Sequence, residues 1–148
     1  MAAAGAEVRF YHLTRQSLDQ ALPALLEKTL SRGWKAVIQL PEQERLASLD
    51  GWLWTYRDDS FIPHGNDNGA EQPVYLTLQD DRPNNAEVLF LCDGLTETTH
   101  DYQLICLIFS GADDAATANA RAAWTRFKDA GHALTYWQQG ENGWEKKA

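Results

Sequence analysis

Three aspartates are the side chains in this sequence best suited to chemistry. Asp80 and Asp81 are adjacent, and Asp93 follows the apolar run 88–91, which has the length of a strand. Open α/β sheets bind ligands at the carboxyl ends of their strands, and carboxylates that meet there can share a hard cation. Aspartate is also common in turns for backbone reasons, especially before glycine. Two interpretations stay open: a small metal- or nucleotide-dependent enzyme, or turn residues with a structural role.

A second group lies on a predicted helix near the C-terminus. Arg121 stands three residues before Trp124, and Lys128 stands four residues after it. At about 100° per residue, both cations fall on the same side of the helix as the indole. Such a surface suits a peptide with an apolar side chain and a carboxylate, because the ring can pack and the cations can pair. The alternative is an ordinary amphipathic helix with solvated cations and a packed tryptophan.

Large apolar side chains also gather around the end of another predicted helix and the polar segment that follows it. They are Trp52, Leu53, Trp54, Tyr56, Phe61, Ile62 and Pro63, with His64 next to them. Such a cluster either folds back onto the core or forms an exposed patch that binds another protein, and aromatic residues are enriched in binding hot spots. His64 and His100 have no evident partner for catalysis, so we expect structural roles for both.

The elements that must position these groups alternate between strands and helices. The patterns predict strands at 8–13, 36–40, 74–78, 88–91, 104–109 and 133–138, and helices between Ser17 and Gly33, over 42–54 and over 114–130. Pro23 should bend the first helix or shift its start. Residues 55–73 read as a long loop, and Trp144 falls in a short tail. We therefore predict one α/β domain over 1–148, with three α/β/α layers and a mostly parallel sheet.

Phosphate-binding motifs are missing from this nucleotide-binding-like topology. The pattern G-x-x-x-x-G-K-[ST] does not occur, and His12-Leu13-Thr14-Arg15 stands where a glycine-rich turn would follow the first strand. The scattered histidines and two cysteines do not have the spacing of a metal site. We expect no cofactor and no metal.

The charge and the apolar content of the sequence limit the classes of molecule that the protein can bind. The net charge of −8 argues against strong direct binding of nucleic acid. Residues 121–148 alone carry 5 Lys and Arg against 3 Asp and Glu, which suits an acidic partner. Cys92 and Cys106 lie in apolar runs and read as buried thiols in a reducing compartment. With no secretion signal and no membrane-length apolar stretch, we expect a cytoplasmic protein without a membrane partner.

Residues 49–65, LDGWLWTYRDDSFIPHG, resemble the central signature of the chi subunit family of bacterial DNA polymerase III holoenzyme. That signature is L-D-x-x-L-W, followed after a short gap by S-F-[IVL]-P-H. The opening Val8–Leu13, the strand at 88–91 and the helix at 120–131 are also similar to the family, and the sequence looks closest to alphaproteobacterial members.

The resemblance implies a non-catalytic adaptor in the clamp-loader complex, active in DNA replication. It implies a surface for the psi subunit or an equivalent partner, used for a helicase in some bacteria, with matching positions Trp54, Phe61, Pro63 and His64. It also implies a site for the acidic C-terminal tail of single-stranded DNA-binding protein, which ends in phenylalanine, with matching positions Arg121, Trp124 and Lys128.

Overall fold

Parallel strands dominate the structure, a computed structural model that describes residues 6–55 and 62–148. The strands are β1 (Glu7–Leu13), β2 (Ala36–Gln39), β3 (His64–Gly65), β4 (Val74–Thr77), β5 (Val88–Cys92), β6 (Leu104–Ser110), β7 (Ala133–Gly140) and β8 (Gly143–Lys146). The helices are α1 (Leu18–Ser31), α2 (Gln43–Thr55) and α3 (Asp114–Asp129), with a 3-10 turn at Gly69–Glu71.

The described strands form one sheet in the order β3-β4-β2-β5-β6-β1-β7-β8. Neighbouring strands are parallel except β7 and β8, which are antiparallel. The central strands β5 and β6 are apolar and buried almost throughout, as expected of parallel strands covered on both faces. The predicted α/β class with a mostly parallel sheet is confirmed.

Alternate side chains along the strands supply two hydrophobic cores. On β1, Tyr11 and Leu13 pack with residues of α1 and α2, whereas Val8 and Phe10 pack with residues of α3. This follows from the two-residue period of a strand, which sends successive side chains to opposite faces. Helices α1 and α2 therefore cover one face of the sheet, and α3 covers the other.

Helix α1 begins at Leu18, where its cap predicts. The Ser17 side chain accepts from the Gln20 amide, and the Gln20 side chain accepts from the Ser17 amide, which completes a capping box. Pro23 lies inside the helix and does not shift its start. Proline has no N–H for the carbonyl four residues earlier, that of Asp19, and the Trp52 indole of α2 donates to that carbonyl instead.

Helix α3 is capped at its start and buries one apolar face. Asp113 caps its first turn by accepting from the Ala116 amide, and Gly131 follows the helix with a φ of 88°. The side chains that it buries are Ala116, Ala120, Ala123 and Phe127. Arg121 and Lys128 lie on one flank of the helix, beside that face, and are exposed.

Two short strands and one turn were not predicted. Strand β3 and the 3-10 turn lie within the predicted 55–73 loop, and residues 56–61 of that loop lie outside the described part of the chain. Strand β8 contains Trp144, which pairs with Gln139 of β7 rather than lying in a tail. Among the described helices, none is both long and apolar enough to cross a membrane.

Candidate functional site

The first candidate site lies along the outer flank of α3. Its centre is Trp124, a half-buried residue whose ring meets Phe10 edge-on at 5.3 Å and Tyr136 at 6.1 Å between centroids. Arg121 and Lys128 are exposed. They are seven residues apart, which on a helix leaves a difference of only about 20° in direction. The predicted arrangement of two cations on the same side as the indole is therefore compatible with the helix.

Two strand residues adjoin this flank, and the sequence did not point to either. The Tyr136 hydroxyl lies 2.8 Å from His12 Nδ1, and the His12 ring stacks on Phe109 with 5.0 Å between centroids. Burial lowers the pKa of His12, and the positive charge of Arg121 lowers it further. Burial raises the pKa of Tyr136, while Arg121 acts in the opposite direction. Arg121 thus lies close enough to act on both side chains.

The opposite flank of α3 carries a different cation. Arg126 Nη2 donates to the Thr96 carbonyl at 3.0 Å, so this guanidinium is turned toward the segment after β5. Arg126 therefore has the same side chain as Arg121 on the same helix, but it lies away from Trp124. That difference makes it a matched control for experiments on the site.

The second candidate site is centred on Trp54 at the end of α2. Its side chain is 53% exposed, and its ring lies 4.7 Å from that of His64. Pro63 is half-buried, and the predicted Phe61 lies outside the described residues. Because α2 and α3 cover opposite faces of the sheet, the Trp54 surface and the α3 flank are separate.

The His64 side chain is fully buried and belongs to the support of this surface. Its Nδ1 lies 2.5 Å from the Ile62 carbonyl, and its Nε2 lies 3.1 Å from the Asp50 carbonyl. These contacts join the chain entering β3 to α2, directly beside the Trp54 ring. His64 thus positions Trp54 and presents little of itself to solvent.

The three aspartates considered as a catalytic group have different partners. Asp93 accepts from Arg45 Nε at 2.7 Å and has a φ of 55°, which is the geometry of a turn residue. Asp80 accepts from the Thr98 hydroxyl, and its second oxygen accepts from Thr99. Among the described residues, no group of three acidic, histidine or cysteine side chains is placed to hold a metal ion. These contacts favour the structural interpretation of the aspartates.

The turn between β1 and α1 is occupied by a side chain of the same chain. The backbone amides of Thr14, Arg15 and Gln16 each donate to Gln139 Oε1 at 3.0 Å. Nucleotide-binding α/β folds use convergent amides at this turn to hold a phosphate. Here an uncharged amide oxygen from β7 fills that position, in agreement with the missing glycine motif.

Comparison with known proteins gives the same family throughout. The family model described as "DNA polymerase III chi subunit, HolC" matches residues 6–135. A relative from Rickettsia prowazekii, named "Probable DNA polymerase III subunit chi", is 36% identical over 84 residues, which are 55% of this chain and 51% of the relative. A Pseudomonas aeruginosa protein, named "DNA polymerase III subunit chi", is 33% identical over 66 residues, which are 44% of this chain and 46% of that protein.

The chain therefore aligns with about half the length of each of these curated relatives. The family match is broader, since it begins just before β1 and extends through α3 into β7. It thus includes both α2, with Trp54, and the α3 flank. On this match, the chain belongs to the DNA polymerase III chi subunit family.

Proposed function

We propose that this protein is a non-catalytic accessory subunit of the DNA polymerase III holoenzyme, which links the clamp-loader complex to single-stranded DNA-binding protein during replication. Membership of the chi family supports the replication role. The observation that carries the proposal is the α3 flank, where exposed Arg121 and Lys128 lie on the same side as an indole fixed by β1 and β7.

The partner at this flank is the acidic C-terminal tail of single-stranded DNA-binding protein. Its terminal phenylalanine packs beside Trp124, and its carboxylates pair with Arg121 and Lys128. The whole chain has a net charge of −8, so the local cations must outweigh a repulsive global field. Binding should therefore depend strongly on these cations and on salt.

The second partner is the psi subunit, or an equivalent protein such as a helicase, at the Trp54 surface. A half-exposed tryptophan that packs against buried His64 has the features of an interface anchor, because it offers a large apolar ring to a partner. The family resemblance adds Pro63 and Phe61 to this proposed surface. Its separation from α3 allows both partners to bind at once.

The test is titration of the purified protein with an acidic peptide that ends in phenylalanine. Arg121→Ala should weaken binding about tenfold, because it removes one charge-assisted contact. Arg126→Ala removes the same side chain from the opposite flank and should leave affinity within about twofold. Affinity should fall as salt rises, since part of the attraction is charge pairing.

Two further titrations test whether the Trp54 surface and the α3 flank bind independently. Trp54→Ala should leave peptide affinity unchanged, and a peptide with an amidated C-terminus should bind more weakly than the free acid. Equal losses from Arg121→Ala and Trp54→Ala would contradict the two-surface arrangement. Failure of the unaltered protein to bind the peptide would overturn the tail assignment.

A further inference from the structure

His12 is placed to take part in the α3 site although it lies on β1. Its Nδ1 is 2.8 Å from the Tyr136 hydroxyl, and Tyr136 also contacts Trp124 with 6.1 Å between ring centroids. The aromatic series Trp124, Tyr136 and His12 is therefore continuous from α3 across β7 to β1. The surface available to a ligand therefore extends from α3 onto β7 and β1.

The hydrogen bond to Tyr136 determines what the other ring nitrogen can do. When the ring is neutral and the Tyr136 hydroxyl donates to Nδ1, the ring proton lies on Nε2. When the ring takes up a second proton, Nδ1–H donates to the Tyr136 hydroxyl oxygen instead, and Nε2 keeps its proton. Within the described chain, Nε2 forms no hydrogen bond and is not among the fully buried polar atoms that lack a partner. His12 thus has one nitrogen held by the protein and one that can donate to a ligand.

The ring is also fixed in place. It stacks on Phe109 of β6 with an angle of 23° between planes. Gly111 lies beside the Nε2 edge of the ring, where an added Cβ would overlap Nε2, so the absence of a side chain at this position keeps that edge open. The groups that face His12 are Tyr136 from β7, Phe109 from β6 and the charge of Arg121 from α3. A donor fixed by its contacts with Tyr136 and Phe109 loses little conformational freedom when a ligand binds.

We infer that His12 is a further binding residue of the α3 site, where its Nε2–H donates to the ligand carboxylate that Arg121 attracts and where binding favours uptake of a proton by the ring. This inference rests on the proposed function, because its ligand is the same acidic peptide. It adds a residue from outside α3 and a dependence on pH that Arg121 and Lys128 alone do not provide.

The sign of the pH dependence follows from the charges. Burial and Arg121 lower the pKa of His12 in the free protein. A bound carboxylate offsets the charge of Arg121 and stabilises the protonated ring, so the pKa of His12 is higher in the complex than in the free protein. Affinity must then rise as pH falls through the histidine range. The peptide carboxylates titrate near pH 4 and stay ionised throughout that range.

The experiment measures peptide affinity between pH 8 and pH 5.5. For the unaltered protein, we expect affinity to rise roughly twofold to fivefold as pH falls, the size expected of one partly exposed ion pair. His12→Leu should bind more weakly and remove the pH dependence. His12→Gln keeps a donor without titrating, so it should retain affinity at pH 8 and also lose the pH dependence. Calorimetry in two buffers of different ionisation enthalpy should detect the proton uptake.

A histidine elsewhere provides the control. His100 contacts the Asp80 carbonyl at 2.9 Å through Nε2, and His100→Gln should leave the pH dependence intact. If binding is lost in Arg121→Ala while both His12 variants retain the pH dependence, the role of His12 is overturned and the proposed function stands. If the unaltered protein does not bind the peptide at any pH, the proposed function itself is overturned.

Discussion

The carboxylate of Asp80 organises the segment that follows β5. It accepts three hydrogen bonds, from the Thr98 hydroxyl and from the amide and hydroxyl of Thr99, each 2.7 Å long. Burial alone would raise the pKa of Asp80, but these hydrogen bonds outweigh it and lower the pKa. Through these hydrogen bonds, Asp80 holds Thr98 and Thr99 in place.

Asp80→Asn should destabilise the protein by about 1–2 kcal/mol at pH 7, because an amide is a weaker acceptor for three donors. A lowered pKa means that Asp80 stabilises the fold above its unfolded pKa, about 3.9, and that this stabilisation is lost as pH falls through the folded pKa. Urea unfolding at pH 7 and pH 3 should show that the difference in unfolding free energy between the two proteins is smaller at pH 3. Exposed Asp101→Asn is the control, and a gap unchanged at pH 3 would contradict the role of the charge.

Gly111 stands where the His12 ring leaves no room for a side chain. Gly111→Ala should cost about 1–3 kcal/mol, because its Cβ would overlap the imidazole. In a His12→Ala background the same change should cost much less. Unfolding free energies of the four proteins of this cycle measure the coupling.

A second glycine distinguishes crowding from a general effect of alanine. Gly51 lies within α2, and a Cβ there would meet no atom within 4 Å. Gly51→Ala should therefore stabilise the protein by about 0.5–1 kcal/mol through helix propensity. Equal costs of Gly111→Ala in both His12 backgrounds would show that the ring is not the obstacle.

At the residue scale, the sequence predicts which side chains of one helix lie near one another, but it does not predict which side chains the sheet brings together. The spacing of Arg121, Trp124 and Lys128 needs only the helical period. His12 and Tyr136 are 124 residues apart and become neighbours through the parallel register of β1 and β7. The residues of either strand alone do not indicate that register.

At the scale of elements, α1 and α2 are joined by a hydrogen bond that replaces the one Pro23 cannot make. Pro23 cannot donate to the Asp19 carbonyl, and Trp52 of α2 uses that carbonyl as its acceptor. Arg45 of α2 adds an ion pair with Asp19 at 3.1 Å and one with Asp93 at 2.7 Å. The two helices are thus tied at the start of α1 by polar contacts as well as by the core.

Trp52→Phe should destabilise the protein by about 1 kcal/mol or more, since it leaves the Asp19 carbonyl without its indole donor. In a Pro23→Ala background the loss should be smaller, because that substitution restores a backbone N–H that can donate to the carbonyl within the helix. A double-mutant cycle measured by urea unfolding tests this coupling. The same loss in both backgrounds would show that the proline and the indole are independent.

Long periodic elements were predictable, and short strands were not. The period of apolar residues, with a cap at Ser17 for α1 and at Asp113 or Asp114 for α3, predicted both helices nearly at their observed bounds, and the structure has Asp113 as the cap of α3. Strand β3 has only two residues, and β8 exists because it pairs with the end of β7. Strands that form only through pairing with a neighbour are too short to show a periodic pattern of apolar residues in the sequence.

At the scale of the whole molecule, the centre of the sheet encloses both thiols. Cys92 ends β5 and Cys106 lies in β6, and both are free and buried, as the apolar runs predicted. Burial raises the pKa of Cys106 to about 12 and raises that of Cys92 well above its ordinary value. Neither thiol is therefore reactive while the sheet is intact.

Labelling of these thiols should report global unfolding. With a chromogenic disulfide reagent at pH 8, we expect very slow reaction of the native protein and a rise with urea that follows the loss of circular dichroism. Cys92→Ser and Cys106→Ser, tested singly, assign each signal. Rapid labelling without urea, at a rate independent of unfolding, would mean that the sheet opens locally.

The side-chain carbonyl of Gln139, bound by three amides of the β1–α1 turn, acts as a ligand that the protein carries permanently. An internal occupant is always present, whereas a bound metabolite comes and goes with its supply. Because these bonds tie the turn after β1 to the end of β7, they also brace the two strands that carry His12 and Tyr136.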